Sequence, residues 1–249
     1  MSEFYVGYLP TSPPGIRRRV RILVAVFFLL AVAGTILFAA SQRHFANSRF
    51  EFGEPRSFVG IISREAFPTL SVSGNATEGS PPASYLLCAA GKHGADSHVA
   101  PFAGKAVQLR GTLISRDVGQ MIEVLPGSIT EKNQSAASNL QQKDLGERTL
   151  SGEIVDTKCF LGVMNPGEGK VHRECAALCL KGGIPPALFT HELDGSPNIF
   201  LLIDPSGAPL PQSDYLQRVG QLVRIHGRAS ESNGFCYLRM NGDDIAAIP

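Results

Sequence analysis

Gly104-Lys-Ala-Val-Gln-Leu-Arg-Gly111 returns later in the chain as Gly220-Gln-Leu-Val-Arg-Ile-His-Gly227. Both read G-x-x-V-x-[L/I]-x-G. Val107 and Leu109 alternate as on a half-buried strand, and Gly111 marks a bend in it. Each copy is followed by a turn and a further strand pattern, Gln120–Val124 in the first and Phe235–Met240 in the second. Upstream, Ser84-Tyr-Leu-Leu resembles Asn198-Ile-Phe-Leu-Leu202, and Val59-Gly-Ile-Ile-Ser63 corresponds to Leu150-Ser-Gly-Glu-Ile-Val155. Gly, Pro and Ser punctuate these short apolar runs, as they do between strands. An internal duplication follows, giving two units of about five strands, each with a glycine-bent strand near its end. That pattern predicts a mainly β chain with two tandem small closed barrels of the OB type, a β-sandwich being the alternative.

Outside the repeats the chain divides by composition. Val20 to Ala40 reads VRILVAVFFLLAVAGTILFAA, with Arg21 as its one charge. About twenty apolar residues at ~1.5 Å each cross a ~30 Å hydrocarbon layer. Arg17, Arg18, Arg19 and Arg21 cluster before the apolar run, while Arg43 and Arg49 are sparser after it. The positive-inside rule then puts the preceding tail in the cytoplasm and the bulk outside. A cleaved signal peptide is the alternative, with small residues available at Phe38-Ala-Ala-Ser-Gln. The expected layout is a cytoplasmic tail over 1–19, a transmembrane helix over 20–41 and a first OB-like domain over 42–130. A linker over 131–148 and a second OB-like domain over 149–249 complete it. Residues 131–148 (EKNQSAASNLQQKDLGER) read as a linker because they lack a hydrophobic period.

Charge excludes one class of partner. The net charge is +1, and the first forty residues hold four Arg against one Glu, so the remainder is slightly acidic. No basic stripe is left to track phosphates, so nucleic acid is not an expected ligand. Tryptophan is absent, which weakens sugar stacking as a theme.

The second unit differs from the first by an insertion over 158–186. With the preceding residues it reads Asp156-Thr-Lys-Cys159-Phe-Leu-Gly-Val-Met-Asn-Pro-Gly-Glu-Gly-Lys-Val-His172-Arg-Glu-Cys175-Ala-Ala-Leu-Cys179 and ends in Gly182-Gly-Ile-Pro-Pro186. It holds three of the five cysteines. A helix over about Lys170 to Leu180, stopped by Gly182-Gly183 and Pro185-Pro186, would put His172, Cys175 and Cys179 on one face at i, i+3 and i+7. Cys159, Cys175, Cys179 and His172 form a Cys3His donor set suited to zinc or copper as Cu(I), with Met164 as a further thioether for copper. A disulfide from Cys159 to Cys175 or Cys179 is the structural alternative in an oxidising compartment. Exchangeable redox thiols are a third reading, against which the expected mid-helix position of Cys175 speaks. Cys236 reads as a core thiol beside Leu238 and Met240. Cys88 ends a strand before Ala89-Ala-Gly-Lys-His-Gly-Ala95, where His93 and His98 read as part of a Gly-rich turn. No nucleophile elbow, zinc-protease helix or dinucleotide fingerprint appears, so nothing marks an enzyme.

The stretch from Gly152 to Pro186, with Phe4-Tyr-Val-Gly-Tyr-Leu-Pro10, resembles an uncharacterised family of bacterial membrane-anchored proteins. They share a D-x-K-C…G-x-M-x-P-G-x-G-x-x-H-x-x-C-A-x-x-C-x-x-G-G-I-P-P core. The resemblance implies a bacterial inner-membrane location and no particular activity. Sco-type copper chaperones also use a Cys-x3-Cys pair with a distant His, but in a thioredoxin-like setting not seen in this sequence. The functional expectation is a periplasmic accessory or assembly protein of a membrane redox complex, with the lipid bilayer and integral-membrane subunits as partners. Two alternatives stand beside it: a protein- or polysaccharide-binding module stapled by its cysteines, and a thiol–disulfide redox protein.

Overall fold

The computed structural model describes residues 12–42, 47–73, 83–132, 142–191 and 198–248. The tail segment Phe4–Pro10 and residues 133–141 of the expected linker lie outside them. The apolar run forms helix α1, Pro14–Ser41, with proline in its first turn and no buried residue. Twenty-eight residues make it long and apolar enough to cross a bilayer. It begins ahead of Val20, because Pro14 pre-sets the helical φ and the arginines that follow are good helix formers. Residues 14–19 of the expected tail are therefore helix. Residues 46–249 form a separate compact unit.

That unit holds two closed five-stranded barrels. The first consists of β1 (Arg56–Arg64), β2 (Pro68–Val72), β3 (Ala83–Cys88), β4 (Ala106–Arg116) and β5 (Gly119–Val124). The second consists of β6 (Gln142–Asp156), β7 (Pro186–Thr190), β8 (Asn198–Ile203), β9 (Leu222–Ser232) and β10 (Phe235–Arg239). In the first, β1 pairs antiparallel with β2 and β4, β2 with β3, and β4 with β5, and a parallel β3–β5 pairing closes the ring. The second repeats every pairing in the same order, closed by parallel β8–β10. Even the short helical turns fall at the same place, after the third strand, at Asp96–Phe102 and Gln212–Arg218. The expected duplication and OB-type closure are what the chain forms.

The repeated glycines show why the motif recurs. A Cβ on Gly111 would lie 2.7 Å from the Glu123 carbonyl oxygen, and one on Gly227 would lie 2.6 Å from that of Arg239. Both sit where a long strand crosses its hairpin partner, too close for any side chain.

The linker expectation needs correction. Residues 142–148 are the first half of β6, which pairs with the end of β9 out to Gln142↔Ser232. This extension is exposed over most of its length, so it shows no alternation, and a register shift opposite Ala229/Ser230 interrupts it further.

Among the described residues, three hydrophobic cores result. Ile62, Leu70, Leu87, Leu109 and Ile122 fill the first barrel. Ile154, Leu188, Phe200, Leu202, Val223 and Leu238 fill the second. The third lies between the barrels, where Leu86, Cys88, Ile114 and Met121 of the first meet Cys159, Phe160, Leu161, Cys179 and Ile184 of the second. Five of the second barrel's twelve buried residues there come from the chain between its first two strands. The first barrel crosses this point with residues 65–67, whereas the second inserts residues 157–185.

Candidate metal centre

The insertion leaves β6 at Asp156, makes a wide helical turn over Cys159–Val163, and returns through helix α2, Arg173–Lys181. Asp156 directs this path. Its Oδ1 accepts from the Cys159 backbone N–H at 2.8 Å, and its Oδ2 meets His172 Nε2 at 3.0 Å. Asp156 is wholly buried and His172 nearly so. With Nε2 held by the carboxylate, Nδ1 is the nitrogen left to ligate, the arrangement by which carboxylates orient metal-binding imidazoles.

Cys159 Sγ, a His172 ring nitrogen and Cys175 Sγ lie within 4.8 Å of one another, as do an Asp156 oxygen, Cys159 Sγ and Cys179 Sγ. Cys159 thus belongs to two overlapping triads. The first triad holds three of the four expected donors; the second joins Cys179 to Cys159 with Asp156 as its third member, so among the described residues no single group brings all four together. Cys159 Sγ and Cys179 Sγ are 3.8 Å apart. None of the five cysteines is joined in a disulfide. Met164 is 45 % exposed at the rim of the turn.

α2 begins later than expected. The Ala176 N–H bonds to the His172 carbonyl, which makes His172 the residue before the first turn and puts Cys175 inside it. The geometric case against a reactive Cys175 therefore falls.

Sequence reasoning missed two partners. One is Asp156. The other is Lys92, read as part of a Gly-rich turn. Its Nζ lies 2.8 Å from Cys175 Sγ and 3.7 Å from Cys179 Sγ. Lys92 reaches them because its loop docks on the end of α2, where the Gly94 N–H donates to the Gly182 carbonyl at 2.9 Å. A Cβ on Gly182 would lie 1.7 Å from the Lys92 carbonyl oxygen, so the Gly182-Gly183 stop of the helix is also the seat for this loop.

The charges are arranged around the sulfurs. The hydrogen bond to Cys175 raises the Lys92 pKa above its ordinary value. Cys179 is held below the usual thiol range, first by the hydrogen bond from Cys159 and further by the Lys92 ammonium. Cys159 is pushed far up, by keeping the proton it donates to Cys179 and by burial. Cys88 ends β3 at the edge of the same cluster, and burial pushes its thiol up to about 12. Cys179 thus lies between the Cys159 thiol and the Lys92 ammonium, a setting in which a soft cation could take the place of protons. Cys236 lies elsewhere, half-buried against the core of the second barrel.

No family model, curated protein or solved structure matches the chain.

Asp156 supplies a direct check on the site's geometry. Asp156→Asn keeps the shape but loses the charge that orients His172. It is expected to weaken zinc or Cu(I) binding by about 10–100-fold, as read by competition with a chromophoric chelator. Affinity within twofold of the parent would show that His172 is not a ligand.

Proposed function

We propose that the protein is a membrane-anchored accessory or assembly component of a bacterial redox complex of the respiratory type. It holds one soft metal ion, zinc or Cu(I), on Cys159, His172, Cys175 and Cys179. The observation that carries the metal reading is the 3.8 Å between Cys159 Sγ and Cys179 Sγ. Two sulfurs bound to one ion at about 2.3 Å in a tetrahedron stand about 3.8 Å apart. The carboxylate-backed imidazole and the compensating Lys92 ammonium support it. Four protein donors leave no coordination position for a reacting water, which favours holding or handing on the ion over hydrolysis. The bilayer anchor is α1, and its arginines favour an N-terminus in the cytoplasm with the barrels in the periplasm. Integral-membrane subunits are the partners this geometry suits.

The test is native and denaturing mass spectrometry of the full chain, purified from membranes without chelator, together with respiratory assays of those membranes. The expected result is one zinc or copper per chain, lost on denaturation and in the double variant Cys175→Ser/Cys179→Ser, with lower respiratory activity in the variant strain. A denatured mass already short of two protons, with no ion released, would make the cysteines a staple. Full metal loss with unchanged respiration would remove the redox complex as the setting.

One observation favours a second reading, thiol–disulfide exchange. Cys175 sits in a helix's first turn beside an ammonium, a setting in which cysteines exchange disulfides. Cys175 sulfur would attack an incoming disulfide and release one thiol. Cys159 would then displace the second, leaving a Cys159–Cys175 bond. Reaction with a small disulfide no faster than that of a free thiol rules this out.

A further inference from the structure

Away from the cysteines, a polar cavity of about 370 Å³ opens between the barrels, lined by Ser230 and Ser232 of β9, Tyr237 and Arg239 of β10, and Glu65 and Ala66 of the first barrel's β1–β2 turn. Its volume is that of a small-molecule site. Arg239 lines the cavity with its Nε buried and without a hydrogen-bond partner, and among the described residues no carboxylate pairs with the guanidinium. Ser230 and Ser232 are each more than nine-tenths buried, at 8 % and 7 % exposure, and both line the same space. A buried, unpartnered guanidinium donor costs free energy unless a ligand or water meets it.

The neighbouring charges narrow the ligand. A second cavity of about 280 Å³ shares Gln142, Ser230 and Arg239 with the first and is lined also by Arg228 and Asp144. Those last two bind one another through both guanidinium and carboxylate atoms, so neither offers a free charge. Among the described residues, one unpaired cation, Arg239, and one unpaired anion, Glu65, remain along the lining. The charge of Glu65 reaches Tyr237, whose phenol is pushed up by burial and by that carboxylate. A dianion such as phosphate would face Glu65 with a single free guanidinium to offset its two charges. A carboxylate fits the guanidinium fork, and an ammonium at the other end of the ligand fits Glu65. Ala66, Ile203 and the Tyr237 ring offer an apolar wall between.

We propose that this cavity is a second binding site, for a small zwitterion of the amino-acid class, its carboxylate on Arg239, Ser230 and Ser232 and its ammonium towards Glu65. It is independent of the cysteine cluster. The test uses the full chain in detergent and saturation-transfer NMR with titration calorimetry. The probes are glycine, L-alanine, L-leucine and L-glutamate, with leucinamide, 4-methylpentanoate and inorganic phosphate as controls. At least one amino acid is expected to bind. Removing its carboxylate or its ammonium should weaken binding about tenfold or more. Arg239→Gln should abolish binding. Glu65→Gln, an exposed change in a turn, should erase the preference for leucine over 4-methylpentanoate. Arg239→Lys, which keeps the charge, should bind more weakly than the parent while melting close to it. Cys175→Ser/Cys179→Ser should leave amino-acid binding unchanged, which separates this site from the metal reading. No binding by any amino acid at millimolar concentration would overturn the proposal. So would tighter binding of phosphate, or an affinity that Arg239→Gln and Glu65→Gln both leave intact.

Discussion

Cys159→Ser is expected to lower zinc or Cu(I) affinity by about 100-fold or more. Structural zinc sites bind with roughly 10–16 kcal/mol, so one of four donors accounts for about 3 kcal/mol, and each 1.4 kcal/mol is tenfold. Cys159 should show the largest effect of the three cysteines, because it is the donor common to both triads. Its serine variant also removes the proton donor that holds Cys179 low. Two effects therefore act together: a missing ligand, and a Cys179 sulfur that costs more to deprotonate. Cys236→Ser, packed against the second barrel's core and outside both triads, should bind like the parent. Competition titrations on the four single variants check the order. A Cys159→Ser affinity within about tenfold of the parent would sink the shared-donor geometry.

Lys158→Met is expected to destabilise the folded protein by about 3 kcal/mol, in the range found when one partner of a buried ion pair is removed. Lys158 is almost fully buried, 2.5 Å from Glu123, whose side chain is 18 % exposed. Its Nζ also donates to the carbonyls of Ala89 and Gly91 at 2.8 and 2.6 Å. One ammonium from the second barrel thus satisfies three acceptors of the first, and methionine leaves all three without it. The expected fall in Tm is on the order of 10 °C. Adding Glu123→Gln should recover part of it, since the stranded charge is then gone. The lysine also holds the carbonyls that flank the Lys92 loop, so Lys158→Met should weaken metal binding as well. A Tm within about 2 °C of the parent would show that Lys158 does not clamp the barrels.

The fold was legible where geometry leaves a mark on residue type. Gly111 and Gly227 recur because two strands cross too closely for a side chain, and that constraint survives in the sequence of both units. The insertion was legible as whatever the first unit lacks, and its observed span, 157–185, shifts by one residue from the expected one. The clustered thiols and His172 were legible too, since Cys and His are few. Lys92 was not: it meets Cys175 only through the docking of two barrels, and no periodicity records a contact across 83 positions. Asp156 was hidden for a related reason. At the end of β6 it looks like any polar strand terminus, and its role appears only when the chain turns back and places His172 against it. The linker misled because an exposed strand extension carries no buried face, and a buried face is the signal that betrays a strand.

The order of the parts along the chain has a bearing on timing. A chain delivered past α1 with its N-terminal side leading exposes the first barrel before the second, and domains fold as units in order of appearance. The wall carrying Lys92, Glu123 and the Ala89 and Gly91 carbonyls is then complete before Cys159, Cys175 and Cys179 emerge. The thiols arrive against a finished surface with a cation waiting for them, and so spend little time as three unguarded sulfurs free to mispair. In that order of emergence the first barrel would serve as the surface on which the second closes.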